Sequence, residues 1–182
     1  QHLCEIKIVD DEDNQLPNGT VGEICGRGPQ VMKGYWAKEQ LTAETLKGGW
    51  LHTGDMGYMD DDGFVYVVDR KKDMIVSGGE NVYSTEVEKA IYRNNQVLEC
   101  AVIGLPDKKW GEVVAAFIVR KPDATITEND VQIFVRELIS HYKVPKIVNF
   151  IDALPKAPTG KIQKVVLREK YWADASRRVG GT

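Results

Sequence analysis

The sequence predicts an α+β protein in two parts. A small antiparallel β subdomain occupies residues 1–69, and a small α+β domain with a three-stranded sheet and packed helices occupies 70–182. Three observations predict this. Short apolar runs separated by Asp-, Gly- and Pro-rich turns fill the first part. Helical and strand-like periods alternate in the second. The charge also changes sign at Asp69-Arg70: residues 1–69 carry 5 basic and 13 acidic side chains and residues 70–182 carry 19 and 14, so −8 and +5 sum to the net −3. A composition with 42% hydrophobic and 28% charged residues is that of a folded chain, not a disordered one.

In order, residues 3–9 alternate apolar and polar and read as a strand that ends at Asp10-Asp11-Glu12-Asp13-Asn14. Pro17-Asn18-Gly19 is a turn, and residues 21–25 are a second strand. Residues 38–46 read as a short amphipathic helix stopped by Gly48-Gly49. Residues 55–59 and 64–68 flank Asp60-Asp61-Asp62-Gly63, a hairpin signal because Asp-Gly tolerates positive φ. In the second part, residues 74–76 are a short strand. Ser84 or Thr85 is expected to cap a helix running to about residue 94, with Val87, Ala90 and Ile91 on one face. Residues 100–104 and 113–119 are strands. Thr127 with Asp130 makes a capping box for a helix to about residue 141. Residues 147–151 form a strand, and 165–172 a closing helix.

Several function classes are excluded. No apolar run reaches the roughly 18–20 residues of a membrane helix. Gln1-His2-Leu3-Cys4-Glu5 lacks the basic-then-apolar profile of a signal peptide. Cys4, Cys25 and Cys100 are odd in number and widely spaced, so neither a disulfide framework nor a zinc ribbon is expected, and a reducing, cytoplasmic setting is the default. A balance of +5 in the second part suits a phosphorylated small molecule but, without aromatic-and-basic motifs, not nucleic acid.

Three stretches carry chemistry. In Trp50-Leu51-His52-Thr53-Gly54-Asp55, an ionised Asp55 has two acceptor oxygens that could hold a vicinal diol, although such an Asp is also a common turn residue. His52 has no partner at ligand spacing and reads as structural or surface. In Asp69-Arg70-Lys71-Lys72-Asp73, a charged run after an apolar strand is a place where a chain can bend. The following Gly78-Gly79 lets the backbone approach something closely, or simply makes a turn. Pro155-Lys156-Ala157-Pro158-Thr159-Gly160-Lys161 shares only Gly160-Lys161 with a phosphate-binding P-loop. Pro155 stands at the first glycine and Ile162 at the magnesium-binding Ser/Thr, so a P-loop is rejected. What remains is a lysine on a shaped loop, able to reach into a cleft as a point charge.

Taken together, Gly22-Glu23-Ile24, Gly34-Tyr35, His52-Thr53-Gly54-Asp55, Asp69-Arg70, Ser77-Gly78-Gly79-Glu80-Asn81 and Gly160-Lys161 resemble, in order and separation, the adenylate-forming acyl-CoA synthetases. The resemblance runs from about Leu3 to Trp172. The form of 77–81, with Leu105-Pro106-Asp107 and Trp110-Gly111, is similar to fatty-acyl and aryl CoA ligases. The family's upstream phosphate loop and acyl pocket have no counterpart here. The chain therefore resembles the C-terminal third of a synthetase: the last β subdomain of the large N-terminal domain, then the mobile C-terminal domain.

The resemblance implies activation of a carboxylic acid by ATP and Mg²⁺ to an acyl-adenylate, then transfer to coenzyme A. It implies that Asp55 and Arg70 bind the ribose, that Lys161 bridges the carboxylate and the α-phosphate, and that Lys72 is the hinge of a domain rotation. Gly78 and Gly79 would then line the pantetheine tunnel, with Glu80 near the thiol. Trp110 and Tyr142 would offer stacking faces to the coenzyme A nucleotide, and Lys143 and Lys146 would meet its phosphates. Val144 stands where some aryl-CoA ligases show Arg, and Trp110 could instead pack on the sheet. The Mg²⁺ ligands and the acyl pocket would lie in the rest of the N-terminal domain, the implied partner, so the chain alone is expected to be inactive. Two other readings stay open: a non-catalytic binding module, and an adenylation domain loading a carrier-protein thiol.

Overall fold

The computed structural model describes residues 4–172 and divides into two compact units, Gln1–Lys72 and Asp73–Thr182. The first unit is an antiparallel meander of β1 (Glu5–Val9), β2 (Gly22–Arg27), β3 (Leu51–Met59) and β4 (Val65–Arg70), paired in that order. Ile8, Val9, Ile24, Cys25 and Met56 are its buried apolar residues. The Asp60–Gly63 turn forms as the sequence predicts. Asp60 Oδ1 accepts from the amides of Asp62 (3.1 Å) and Phe64 (2.8 Å), and Gly63 takes φ 83°. Tyr58 and Tyr66, opposite one another on β3 and β4, stack with centroids 5.0 Å apart. Helix α1 (Glu39–Thr45) buries no residue and has no side-chain cap.

The second unit is α+β, as expected, but its sheet has five strands rather than three. They are β5 (Ile75–Ser77), β6 (Glu80–Val82), β7 (Val97–Asp107), β8 (Gly111–Arg120) and β9 (Ile147–Phe150), with helices α2 (Ser84–Tyr92), α3 (Glu128–Arg136) and α4 (Lys164–Trp172). The order is β6-β5-β8-β7, and β9 lies parallel to β8. Strands at 74–76, 100–104, 113–119 and 147–151 are legible in the sequence, and the one without a counterpart, β6, is three residues long at the sheet edge with two polar side chains, so no alternation marks it. It exists because Gly78-Gly79 turns the chain back onto β5.

The middle of the long hairpin β7–β8, residues 100–105 and 113–119, is buried on both faces, which explains its apolar runs. Cys100, Val102, Val114, Ala116 and Ile118 join the core that includes Val87 and Ile91 of α2 and Val131 and Val135 of α3. Alternate residues Ala101, Ile103, Val113, Ala115 and Phe117 face the other way, toward Leu167 and Tyr171 of α4.

Two helix boundaries differ from the sequence reading. The residue preceding α2 is Tyr83, without a side-chain cap bond. Ser84 is instead buried within the helix, where its hydroxyl accepts from Lys164 Nζ at 2.7 Å. Helix α3 has the expected Thr127–Asp130 capping box but stops at Arg136. The chain turns there and brings Leu138 and Ile139 against the core.

Candidate functional site

Each unit carries one group of the sequence-predicted residues. In the first, Asp55 on β3 stands directly opposite Arg70 on β4, with Arg70 Nε 3.4 Å from Asp55 Oδ1. The segment before Asp55 is fixed from below. Gly54 takes φ 71°, and its amide donates to Glu23 Oε1 at 3.1 Å. The Thr53 hydroxyl donates to the Ile24 carbonyl at 2.7 Å and accepts from the Asp55 amide at 3.1 Å.

Glu23, named from sequence only within the Gly22-Glu23-Ile24 motif, has no role assigned there. It is only 8% exposed, and its Oε2 meets Lys71 Nζ at 3.2 Å and His52 Nδ1 at 3.3 Å. Burial raises its pKa, but bonds from Lys71, His52 and the Gly54 amide outweigh this and hold the carboxyl below the ordinary glutamate value. The signal was a carboxylate inside an otherwise apolar strand. Of the two readings of His52, the structural one holds: Cys25 Sγ lies 3.4 Å from the same Nδ1. Burial, then the nearby Glu23 charge, pushes the Cys25 thiol up to about 11.

In the second unit, Gly78 (φ 63°) and Gly79 (φ 88°) form a two-residue turn between β5 and β6, with Ser77 opposite Glu80. The Gly78 amide donates to the Trp110 carbonyl at 2.8 Å. A Cβ on Gly78 would sit 2.6 Å from Trp110 Cε3, so this close approach requires glycine. The Trp110 ring is 40% exposed, with Lys146 Nζ 4.1 Å and Lys109 Nζ 4.6 Å from its centroid. Gly78, Trp110 and Lys146 thus come together. Tyr142 is half-exposed on the short turn His141–Lys143. Lys143 is committed elsewhere: its Nζ pairs with Glu86 at 2.7 Å and is largely buried. Glu80 is exposed at the start of β6.

Lys161 closes a second hairpin. Pro158 and Thr159 occupy the middle of a turn whose Gly160 amide donates to the Ala157 carbonyl at 2.8 Å, and Gly160 takes φ 83°. The Ala157 amide then donates to the Lys161 carbonyl at 2.8 Å, and Lys156 pairs with Ile162. Lys161 is exposed and makes no side-chain bond among the described residues.

At the bend, Lys71–Asp73 is a single 3₁₀ turn. Lys71 Nζ pairs with Asp11 (2.8 Å) and Glu23 (3.2 Å). Asp73 pairs with Arg168 at 2.8 Å. Lys72 is exposed and makes no side-chain bond among the described residues.

The first unit thus carries an Asp–Arg pair, Asp55 in the middle of β3 and Arg70 at the end of β4, and the second displays a Gly-Gly turn and a lysine hairpin. The family described as AMP-binding enzyme C-terminal domain matches residues 86–161, and that described as AMP-binding enzyme matches 2–36. A long-chain-fatty-acid–CoA ligase of Escherichia coli O6:H1 is 48% identical over 166 residues, covering 91% of this chain and 29% of that protein. A fatty acid–[acyl-carrier-protein] ligase, ScoC, of Streptomyces coeruleorubidus is 43% identical over 173 residues, covering 95% and 33%. ATP-bound MatB from Rhodopseudomonas palustris superposes with TM-score 0.87 at 38% identity, covering 96% of this chain and 35% of that one. The chain belongs to this adenylate-forming family and matches the C-terminal part of its members. It spans about a third of the length of these three proteins.

Proposed function

We propose that this chain is the C-terminal part of an AMP-forming acid–CoA ligase acting on a carboxylic acid of the fatty-acid class. The observation that carries the reading is the Asp55–Arg70 pair, held by Glu23 and Thr53 so that a carboxylate with two acceptor oxygens is presented from the middle of β3 opposite the end of β4. In the first half-reaction, the substrate carboxylate attacks the α-phosphate of Mg·ATP and pyrophosphate leaves. Asp55 accepts from the ribose hydroxyls and Arg70 supports it. Lys161 bridges the carboxylate and the α-phosphate, where a fixed ammonium stabilises charge that shifts in the transition state. The Mg²⁺ ligands and the acyl pocket belong to the rest of the N-terminal domain, without which the 182-residue chain turns over nothing.

In the second half-reaction, the coenzyme A thiol attacks the acyl carbonyl and AMP leaves. The C-terminal domain, which the sequence reading starts at 70 but whose compact unit starts at Asp73, rotates about Lys72 so that the 77–81 turn replaces Lys161. The flanks of Lys72 support the hinge: Lys71 is bonded to Asp11 and Glu23, Asp73 to Arg168, and Lys72 to neither set. Gly78 and Gly79 line the pantetheine path by backbone, and Glu80 lies near the thiol. Trp110 and Tyr142 offer stacking faces, with Lys146 as a phosphate partner. Lys143 joins them only by leaving Glu86.

The test is AMP release by the full-length protein across a panel of carboxylic acids, with coenzyme A as thiol. Release that requires both an acid and coenzyme A supports the reading. No release with any acid sinks it. The 43% identity to a protein named as an acyl-carrier-protein ligase favours one second reading, so a phosphopantetheinylated carrier protein is run as the alternative thiol.

A further inference from the structure

We propose that Glu99 is a positioning residue for Lys161, acting through Lys156. The inference rests on the role given to Lys161 above. Lys156 Nζ lies 2.5 Å from Glu99 Oε1 on β7, across 57 residues of sequence. Lys156 is also the residue paired with Ile162 at the base of the hairpin, one position from Lys161. The Gln163 amide donates to the Pro155 carbonyl at 2.8 Å and closes the same base. A force on the Lys156 side chain is therefore transmitted to Lys161 through two backbone pairings.

A second observation places Glu99 on the side of the hairpin. Strand alternation puts Glu99 on the face of Ala101, the α4 side, against which Leu154 and Ile162 also pack. The register shift between Val97 and Glu99 turns Val97, not Glu99, to the core on the α2 and α3 side.

The segment that leaves the base of the hairpin is anchored separately. Lys164 Nζ reaches Glu88 Oε1 and Ser84 Oγ, each at 2.7 Å, and both charged side chains are largely buried. Leu154 is buried and Ile162 packs against the same core, so the base is held on its exit side by Lys164 and on its entry side by Lys156. The Lys164 anchor is part of the packing. The Glu99–Lys156 pair is half-exposed and adds little to global stability, so its removal loosens the tip without unfolding the unit. Displacing a catalytic group by about 1 Å is enough to cost roughly 100-fold in rate.

The experiment measures single-turnover adenylation, and thioester formation from a supplied acyl-adenylate, in the full-length enzyme. Glu99→Gln is expected to slow adenylation at least about tenfold while changing the thioester step less than about threefold. Combining Glu99→Lys with Lys156→Glu should recover adenylation to within about threefold of wild type, while each single change stays low. In a Lys161→Ala background, Glu99→Gln should cost nothing further, because it acts only through that lysine. Hydrogen exchange at the Ala157, Gly160 and Gln163 amides should quicken in Glu99→Gln. Equal loss in both half-reactions, undiminished adenylation, or unchanged exchange at those amides overturns the proposal. If the wild-type enzyme adenylates no acid, the functional reading above has failed, and the exchange measurement still decides whether Glu99 holds the hairpin.

Discussion

Asp55 and Arg70 are a directly opposed pair on adjacent antiparallel strands, and Arg70 Nε lies 3.4 Å from Asp55 Oδ1. Both side chains keep substantial exposure, so the carboxylate has acceptor capacity left for a ligand. Hydrogen bonds to a charged group contribute about 1.5–3 kcal/mol each. Asp55→Ala in the full-length enzyme is therefore expected to raise KM for ATP at least about tenfold. Asp55→Asn, which keeps one acceptor, should fall between. An unchanged KM for ATP in Asp55→Ala would remove the ribose role.

Lys161 makes a sharper prediction, because its hairpin is exposed and its side chain makes no bond among the described residues. Lys161→Ala should cost adenylation about 10²–10³-fold, the usual effect of deleting a preorganised charge at a reacting centre. Thioester formation from supplied acyl-adenylate should change little. Parallel losses in both steps would contradict separate working conformations.

Much of the local structure, including the turns that carry the candidate site residues, could be read from sequence because its signals are local. The 60–63 hairpin, the Thr127–Asp130 box and the two glycine turns each rest on a backbone need that only certain residues meet. What stayed hidden is long-range. Nothing near Glu23 announces that it holds Gly54 and Lys71, and Glu99 meets Lys156 only across 57 residues. The parallel pairing of β9 with β8 and the three-residue edge strand β6 are decided by packing rather than by alternation. Ser84 misled as a cap because its hydroxyl serves Lys164 instead.

The two turn glycines should not respond alike. Both take positive φ, which costs a non-glycine residue about 1–2 kcal/mol. At Gly79, a Cβ meets nothing within 4 Å. At Gly78, it strikes the Trp110 ring at 2.6 Å. Gly78→Ala should therefore lower stability more than Gly79→Ala in denaturant melts, and it should shift the Trp110 fluorescence as the ring is displaced. Equal destabilisation with unchanged emission would refute the contact.

Glu112 gives a pH dependence. Its Oε2 accepts from the Val76 amide at 3.0 Å, the strand that leads into the Gly78-Gly79 turn. Burial pushes the carboxyl up, and the Val76 amide and Arg168 only partly offset this. A raised folded-state pKa means that the protonated form is favoured by folding. That contribution is fully present below the unfolded value of about 4.3 and is lost as pH rises through the folded value. Glu112→Gln keeps an oxygen for Val76 without a buried charge. Its melting temperature should exceed wild type at pH 7, and the gap should close toward pH 4. A gap that is constant with pH would exclude Glu112 as its source.

Lys72 lies between two anchored neighbours, Lys71 tied to Asp11 and Glu23 and Asp73 tied to Arg168. If the C-terminal domain rotates between half-reactions, the dihedral change falls on residue 72, because moving it elsewhere would break one of those ion pairs. Proline fixes φ near −65°. Lys72→Pro in the full-length enzyme should therefore leave accessible whichever working state tolerates that φ and close off the other. Adenylation is the expected survivor, with thioester formation impaired far more. If residues 69–73 are an inert linker, both steps should respond alike. Single-turnover rates for the two half-reactions, measured on one preparation, separate these outcomes. Matched losses below about threefold, roughly 0.65 kcal/mol, would show that the chain does not turn at Lys72.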